Sequence, residues 1–268
     1  MMRPSSFFVA ILLGLWITRA QAEPLRVCAD PNNLPFSDGK GNGFENRLAE
    51  LVAAEMGKSV SYTWWAQRRG FIRNTLSAGQ CDVVMGVPAQ YELVAATLPY
   101  YRSSYVFVSR QDRHIDVASL KDPRLHQLRI GVHLLGDDGM NAPPAHALGE
   151  QGIVGNVIGY PIYGDYREAT PPARLIEAVE SGDVELAAAW GPLAGYVALH
   201  APVALRVVPI TDTQDFAPLQ FSFDIAMGVR KGDDALRRQL DDIILRRRAD
   251  IDALLADYGV PRAPVNAR

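Results

Sequence analysis

The fold of this chain follows from residues 25–56, which read LRVCADPNNLPFSDGKGNGFENRLAELVAAEM. The segment begins with a short apolar run at residues 25–29, and turn-forming residues follow it. A glycine-rich turn at residues 39–43 then leads into apolar residues at helical spacing from Phe44 to Met56. A strand, a loop and a helix in this order open an α/β unit, whose loop is where such sheets present ligands. The glycines lack the spacing of a dinucleotide-binding motif, so the glycines alone favour a hairpin turn without a ligand.

Composition describes an ordinary soluble globular protein. The chain has 268 residues, of which 48% are hydrophobic and 21% charged, enough for one large domain or two modest ones. The net charge of −3 argues against nucleic acid, whose binders carry basic patches. The arginine triplet at residues 246–248 lies between apolar residues at helical spacing, which predicts a solvated helix face.

Residues 1–22 predict a secretory signal peptide and no part of the fold. Arg3 supplies the basic start, residues 7–17 the apolar segment, and residues 20–22 (Ala-Gln-Ala) a cleavage site. The apolar segment is too short for a stable bilayer anchor, and no later stretch is long and apolar enough to cross a membrane. We therefore expect an exported protein with no membrane span after cleavage.

The remaining chain contains two successive α/β sets. Strands are predicted at residues 25–29, 59–65, 81–87, 105–109, 128–133, 157–160, 184–190 and 221–229. Helices are predicted at residues 44–56, 69–78, 144–151, 172–181, 193–200 and, as one or two helices, 233–258. This order predicts an α/β fold of two lobes, each a mainly parallel sheet flanked by helices. Lobe 1 would comprise residues 23–102 plus 222–268 and lobe 2 residues 103–221, with a ligand cleft between them.

Cys28 and Cys81 lie in the strands predicted at residues 25–29 and 81–87. Strands of this kind run side by side in a parallel sheet. Because the protein is expected to be exported, a disulfide between the two cysteines is predicted. Such a bridge would stabilise the fold by about 4 kcal/mol through chain entropy. Two buried free thiols are the alternative.

Catalytic chemistry finds little support in the sequence. There is no nucleophile elbow, phosphate-binding loop or His-Glu-x-x-His pair, and the five histidines show no ligand spacing. We therefore expect no catalytic residues, no metal and no cofactor. Asp137 and Asp138, with Asn141, form the one compact oxygen cluster, for which a capped turn is the simpler interpretation.

Four motifs in order carry a family resemblance: RVCADPNNLPFS, YTWWAQRRGFIRNTL, CDVVMGVP and PYYRSSYVFVSR. With the helical C-terminal segment, they make essentially the whole mature chain resemble the type II periplasmic solute-binding proteins of ABC uptake systems. The narrower resemblance is to the J-type accessory proteins of methanol oxidation (MoxJ, MxaJ and XoxJ). It implies a type II periplasmic binding protein fold, a periplasmic location, and the large subunit of a PQQ-dependent methanol dehydrogenase as partner. Whether that enzyme uses calcium or a lanthanide stays open.

The chain departs from the amino-acid-binding members of the wider family at both ends of their ligand. In those relatives an arginine shortly before the PYY segment clamps the ligand carboxylate, whereas residues 88–92 here contain none. An aspartate after the strand at residues 186–190 would pair the ligand ammonium, but Trp190, Gly191 and Pro192 stand there. These departures argue against an ordinary amino-acid carrier.

Aromatic residues are the strongest candidates for the cleft. The set comprises Phe36, Phe44, Trp64, Trp65, Tyr100, Tyr101, Tyr105 and Trp190. Core packing is the better interpretation of Phe44 and of one of Trp64 and Trp65, which point to opposite faces of a strand. Phe36, Tyr100 and Trp190 lie in loops or at strand ends, where they would either line the cleft or pack in the core. The candidate cleft residues are Asn33, Phe36, Tyr100, Arg102, Asp137, Asp138 and Trp190. The two aspartates are included because the related loop of binding proteins often contacts the ligand.

The resemblance favours a non-enzymatic accessory partner of methanol dehydrogenase. The first alternative is a solute receptor of an ABC uptake system for a small ligand that is not an amino acid. The second is an enzyme on the same fold, similar to cyclohexadienyl dehydratase, which would need an acid catalyst in the cleft. Glu45, Glu92 and Asp137 are the nearest candidates, and none has a convincing partner in sequence.

Overall fold

The computed structural model of the chain describes residues 23–134, 141–162 and 170–262. Its strands are β1 (Leu25–Ala29), β2 (Asn32–Asn33), β3 (Ser37–Asp38), β4 (Val60–Trp64), β5 (Val83–Pro88), β6 (Ala95–Ala96), β7 (Tyr101–Arg110), β8 (Ile130–Leu134), β9 (Val157–Pro161), β10 (Leu186–Trp190), β11 (Leu205–Pro209) and β12 (Ser222–Val229). Its α-helices are α1 (Phe44–Glu55), α2 (Phe71–Asn74), α3 (Pro143–Glu150), α4 (Arg174–Ser181), α5 (Gly191–His200), α6 (Asp234–Arg246) and α7 (Arg248–Asp257). The predicted signal peptide and the candidates Asp137 and Asp138 lie outside the described residues.

Two sheets, which combine parallel and antiparallel pairs and are continuous through β12 and β7, form the frame of the described chain. In the first, β1 runs parallel to β4 and β5, and β12 adds an antiparallel strand beside β5. In the second, β8 runs parallel to β9 and β10, and β7 runs antiparallel to β10 and β11. Helices α1, α6 and α7 contribute buried apolar side chains to the core of the first sheet. The observed architecture is the predicted α/β class.

Strand β7 belongs to both sheets. Its first residues pair with β12, in a register that sets Tyr101 opposite Ile225 and Ser104 opposite Ser222. Its later residues pair with β10 and β11. The predicted lobe boundaries, at residues 102/103 and 221/222, fall within the paired stretch of β7 and β12 and stay predictions.

Helix α5 of the second lobe also contacts the C-terminal end of the first. A Cβ atom at Gly195 would overlap the carbonyl oxygen of Gly259, so only glycine permits this approach. The rings of Tyr196 and Tyr258 stack with their centres 5.9 Å apart. Ser103 Oγ donates to the Pro261 carbonyl at 2.7 Å, which ties the same segment to β7.

The helix predicted at residues 69–78 is much shorter in the structure, where α2 covers four residues. Gly70, with φ +88°, precedes it, and Thr75 leaves the helical region at φ −118° and ψ −83°. The Thr75 hydroxyl donates to the Phe71 carbonyl at 2.7 Å, a local bond that competes with helix continuation. The prediction of a longer helix was wrong because the apolar spacing does not encode this termination.

The glycine-rich turn is organised by Asp38. Its carboxylate accepts hydrogen bonds from the backbone N–H groups of Lys40 and Asn42, at 3.1 and 2.7 Å, and from the Asn42 side chain at 2.8 Å. Asn46 Oδ1 accepts from the backbone N–H groups of Asp38 and Gly43, at 3.0 and 3.1 Å. These bonds account for the loop conformation and fix the start of α1.

Cys28 and Cys81 form the predicted disulfide, across a sequence separation of 53 residues. The bridge joins β1 to the segment that enters β5. Arg26, two residues before Cys28, and Asp82, directly after Cys81, form an ion pair at 2.5 Å. Within the described ranges, no helix is both long and apolar enough to span a bilayer.

Candidate functional site

A cavity of about 390 Å³ lies between the two lobes. From the first lobe and the crossing strands it is lined by Asn33, Phe36, Glu45, Gln67, Gly86, Val87, Pro88, Tyr101, Phe223 and Ile225. From the second lobe it is lined by Tyr105, His133, Ile162, Pro172, Trp190 and Leu193. It is therefore a candidate binding site at the carboxyl ends of the parallel strands, where this class of fold places ligands.

Aromatic rings form a continuous part of the cavity wall. The Trp190 ring meets those of Tyr105 and Phe223 edge to face, with centres 5.3 and 5.8 Å away. Phe36 packs its ring on Phe44 at 5.4 Å, so the cavity-facing Phe36 is backed by the core. Rings held this way present rigid apolar area to a ligand or partner side chain.

Three of the predicted cleft residues lie in the cavity wall: Asn33, Phe36 and Trp190. The Asn33 side chain donates to Gln67 Oε1 at 3.2 Å, which orders two polar wall residues. Trp64 stacks on Tyr62 at 4.5 Å and Trp65 is exposed, and neither is part of the wall. Phe44 is fully buried in the core, as predicted.

Tyr100 does not line the cavity, and its prediction as a cleft residue was wrong. Its side chain is completely buried in the core of the first lobe. The neighbouring Tyr101 faces the cavity instead. Tyr101 is also buried in this core, with its ring centre 5.0 Å from that of Tyr100, but only Tyr101 borders the cavity.

Arg102 is also absent from the cavity wall, which contradicts its prediction as a cleft residue. Its guanidinium pairs with the Asp224 carboxylate at 3.0 Å and donates to Ser222 Oγ at 2.9 Å. Both partners lie on β12, so Arg102 joins the two crossing strands. It lines a separate groove of about 530 Å³, which contains no residue of the aromatic wall except Phe223.

Glu45 is the cavity residue with the most unusual environment. It is the second residue of α1, its side chain is 9% exposed, and no described residue forms a hydrogen bond or ion pair with its carboxyl group. Burial alone raises the pKa of Glu45 to about 8. Its backbone N–H donates to the Phe36 carbonyl at 2.9 Å, which places the carboxyl group beside the aromatic wall.

His133 occupies the facing wall in the second lobe. Its ring is buried, and Nε2 lies 3.0 Å from the Pro172 carbonyl oxygen, to which the neutral Nε2–H tautomer donates. Burial lowers the pKa of His133 to about 4, so the ring is neutral at physiological pH. The cavity thus contains a buried histidine without positive charge.

A direct hydrogen bond joins the lobes beside the cavity. The backbone N–H of Thr170, in the second lobe, donates to the Asn32 side chain of the first at 3.1 Å. Thr170 has a left-handed backbone, with φ 52°, and immediately precedes the turn that carries Pro172. This bond holds the lobes close together around the cavity.

The chemistry of the wall limits what the cavity holds. None of the described lining residues is Lys or Arg, so no guanidinium or ammonium stands ready for a ligand carboxylate. Nor does the part of the chain that the structure describes gather three His, Cys, Asp or Glu side chains in metal-binding proximity. The site is suited to apolar and aromatic groups, with one carboxyl group and two amides for polar contacts.

Sequence reasoning missed several of these residues. The sequence indicates Glu45 only as a candidate acid catalyst and does not indicate Gln67, His133 or Phe223 as cleft residues. Strand alternation offers one signal for Phe223, because it lies two residues before the cavity-lining Ile225 on β12. Gln67 and His133 carry no comparable signal.

The sequence profile of the bacterial extracellular solute-binding proteins, family 3, matches residues 25–260. Protein MoxJ of Methylorubrum extorquens is 33% identical over 254 residues, covering 92% of this chain and 84% of that protein. Protein MoxJ of Paracoccus denitrificans is 28% identical over 253 residues, covering 91% of each. The crystal structure of the periplasmic binding protein XoxJ from Methylobacterium extorquens AM1 is similar with a TM-score of 0.74 and 36% identity, over 90% of this chain and 100% of that one.

Proposed function

Because the chain belongs to the bacterial extracellular solute-binding proteins, family 3, whose members bind rather than transform their ligands, we propose that it is a periplasmic accessory partner of a PQQ-dependent methanol dehydrogenase. In this proposal the protein is exported by its N-terminal signal peptide. The cavity between its lobes then engages a segment of the large subunit of the dehydrogenase.

The proposal is supported first by similarity. The relatives named MoxJ and XoxJ match the chain over about nine-tenths of its length, and these are the accessory proteins of methanol oxidation that the sequence motifs resemble. The observation that carries it is the wall of the cavity, which is lined by aromatic rings and, among its described residues, by no Lys or Arg that would clamp a ligand carboxylate. Rigid aromatic anchors are typical of protein recognition sites.

The size of the cavity limits how a partner enters. A volume of about 390 Å³ accepts a few side chains of a loop. A whole helix, about 10 Å across, does not fit while the lobes are this close. Binding would shift the dehydrogenase toward its cofactor- or metal-competent state only if this protein binds that state more tightly than the other state.

Size-exclusion chromatography with light scattering tests this function. The mature protein is mixed with the methanol dehydrogenase of the same organism, and we expect a co-eluting complex. Phe36→Ala and Trp190→Ala should each weaken the complex tenfold or more if these rings are anchors. Trp65→Ala is the matched control because Trp65 is 44% exposed and outside the cavity wall. Separate elution together with unchanged dehydrogenase activity would refute the proposal.

A solute receptor of an ABC uptake system is the second candidate. The volume of the cavity lies in the range typical of small-molecule sites, and its wall is suited to a ligand that is aromatic or neutral. A small molecule that raises the melting temperature by several degrees, in protein that forms no complex with the dehydrogenase, would favour this candidate.

A further inference from the structure

The cavity contains a buried carboxyl group that no residue of the described chain pairs with. Glu45 is 9% exposed, and its carboxyl group has no hydrogen bond or ion pair to any described residue. An unpaired charge in such an environment is costly, and proteins normally pair or neutralise it. A group left in this state at the wall of a binding cavity is available to a ligand.

The fold makes specific room for this carboxyl group. A Cβ atom at Gly86 on β5 would overlap Glu45 Oε1, so the carboxyl group occupies the space that any larger residue would fill. The backbone bond from Glu45 to Phe36 fixes the start of the side chain. Both Gly86 and Phe36 line the cavity as well, so Glu45 is held at its surface.

The rest of the wall has the character of a cation site. The rings of Phe36, Tyr101, Trp190 and Phe223 line the same cavity, and aromatic faces attract organic cations. No Lys or Arg is among the described lining residues, and the buried His133 is neutral at physiological pH. A positively charged ligand therefore meets attraction and no described opposing charge.

We propose that the cavity binds an organic monocation, an ammonium group on an apolar stem, with the Glu45 carboxylate as its counter-ion and the aromatic rings around the stem. The inference rests on the cavity of the proposed function and names the chemistry that enters it. The ammonium group comes either from a free amine or from a lysine side chain of the dehydrogenase segment, and the experiments below separate these sources.

Binding of this kind releases a proton. Burial raises the pKa of Glu45 to about 8, so the empty site is mostly protonated at pH 7 and must ionise to pair with a cation. The groups that interact with Glu45 or share its cavity and have shifted pKa values are Tyr62, Tyr100, Tyr101, Tyr105 and His133. Burial raises the pKa values of the tyrosines and lowers that of the histidine, so between about pH 6 and pH 9 Glu45 is the group among these that titrates.

Calorimetric titration with three probes of similar shape tests the proposal. They are 2-phenylethylammonium, 2-phenylethanol and phenylacetate. At pH 8 we expect the ammonium probe to bind at least tenfold more tightly than the alcohol, and phenylacetate more weakly than both. At pH 7, titrations in two buffers of different ionisation enthalpy should report release of nearly one proton. The affinity for the ammonium probe should rise about tenfold per pH unit up to pH 8 and then level off.

Two variants and a control connect these results to the site. Glu45→Gln, which resembles the protonated form, should remove the preference for the cation, the proton release and the pH dependence. Gly86→Ala displaces the carboxyl group and should weaken ammonium binding while leaving the binding of the alcohol within a few-fold. Glu50 lies on the same helix with its side chain 54% exposed, so Glu50→Gln is the control. It should leave the preference for the cation, the proton release and the pH dependence unchanged.

Equal affinity for the alcohol and the ammonium probe, binding without proton release, or no binding at millimolar concentration would overturn the proposal. The source of the cation is read from the dehydrogenase complex. The probe competes with the partner in either case because both occupy the cavity, so Glu45→Gln separates the sources: it weakens the complex if a lysine of the partner supplies the cation, and leaves the complex unchanged if a free amine does. Because the titrations use this protein alone, they can fail while the complex still forms, and the two proposals fail separately.

Discussion

Glu45 and His133 lie on facing walls of one cavity, and burial shifts their pKa values in opposite directions. It raises the pKa of the carboxyl group to about 8 and lowers that of the imidazole to about 4. In both cases the low dielectric environment disfavours the charged form. Both side chains are therefore mainly neutral at pH 7, which suits a cavity with apolar walls.

Replacement of Glu45 by glutamine should change how stability depends on pH. The Glu45 carboxyl group stays protonated up to about pH 8 in the folded protein but only up to about pH 4.5 in the unfolded chain. The stability that this difference gives the folded state is therefore complete below pH 4.5 and is lost as the pH rises through 8. Across this window the wild type should lose roughly 3–5 kcal/mol of unfolding free energy that Glu45→Gln does not lose. Urea denaturation at a series of pH values measures the difference, with Glu50→Gln as control. Parallel curves for wild type and Glu45→Gln would contradict the expectation.

His133 should act with the opposite sign. Its folded pKa of about 4 lies below the value of 6.5 in an unfolded chain, so its contribution is present above pH 6.5 and is lost as the pH falls through 4. His133→Gln retains an N–H group for the Pro172 carbonyl but no longer titrates. The wild type should lose about 3 kcal/mol more than this variant between pH 6.5 and 4. His126→Gln, at an exposed position, is the matched control and should behave as the wild type does.

At the scale of elements, the sequence predicts the bounds of a segment best where one or both faces of that segment are buried. The continuous apolar runs of β1, β5 and β10 place these strands within two residues of their observed bounds. The sequence predicts strand β7 only from residue 105, yet the strand begins at Tyr101 because its first four residues pair with β12. A partner strand far away in sequence decides that start, and local pattern does not contain it.

The candidate site was harder to predict than the sheets that frame it. Phe36 and Trp190 could be found because they occupy loops at strand ends, where the fold class places its cleft. Tyr100 and Tyr101 cannot be told apart from sequence, since they are adjacent tyrosines that are both buried in the core, where only Tyr101 also borders the cavity. The buried state of Glu45 depends on the missing side chain at Gly86, 41 positions along the chain, so residues near Glu45 give no sign of it.

Removal of the disulfide should destabilise the first lobe. Cys28 and Cys81 are buried with Phe71, Ile72 and Leu76, so the bridge also supports the short helix α2 and the turn after it. Replacement of both cysteines by serine should lower the free energy of unfolding by about 2–5 kcal/mol. Denaturant titration measures the change, and the wild type under strong reductant provides the comparison. A variant as stable as the oxidised wild type would show that the bridge contributes little.

At the scale of the whole molecule, the lobes are connected by more than the two strands that cross between them. Helix α5 packs against residues 259–261, where Ser103, Tyr196 and Tyr258 add polar and aromatic contacts. The Tyr258 hydroxyl also donates to the Asn42 carbonyl at 2.5 Å, which extends this contact to the turn before α1. The start of the helix that carries Glu45 is thus coupled to the position of the second lobe.

Replacement of Gly195 by alanine should disrupt the packing of α5 against residues 259–261. A methyl group at that position overlaps the Gly259 carbonyl, and backbone atoms there cannot move aside as a flexible side chain would. We expect a loss of about 1–3 kcal/mol of unfolding free energy from overpacking, and a larger radius of gyration in small-angle scattering as the lobes part. Gly149→Ala is the matched control, since it makes the same change in helix α3 of the same lobe with no atom within 4 Å. Because alanine favours helix more than glycine does, this control should leave stability unchanged or raise it by up to about 1 kcal/mol. If Gly195→Ala behaves like Gly149→Ala, the contact between α5 and the C-terminal segment does not hold the lobes together.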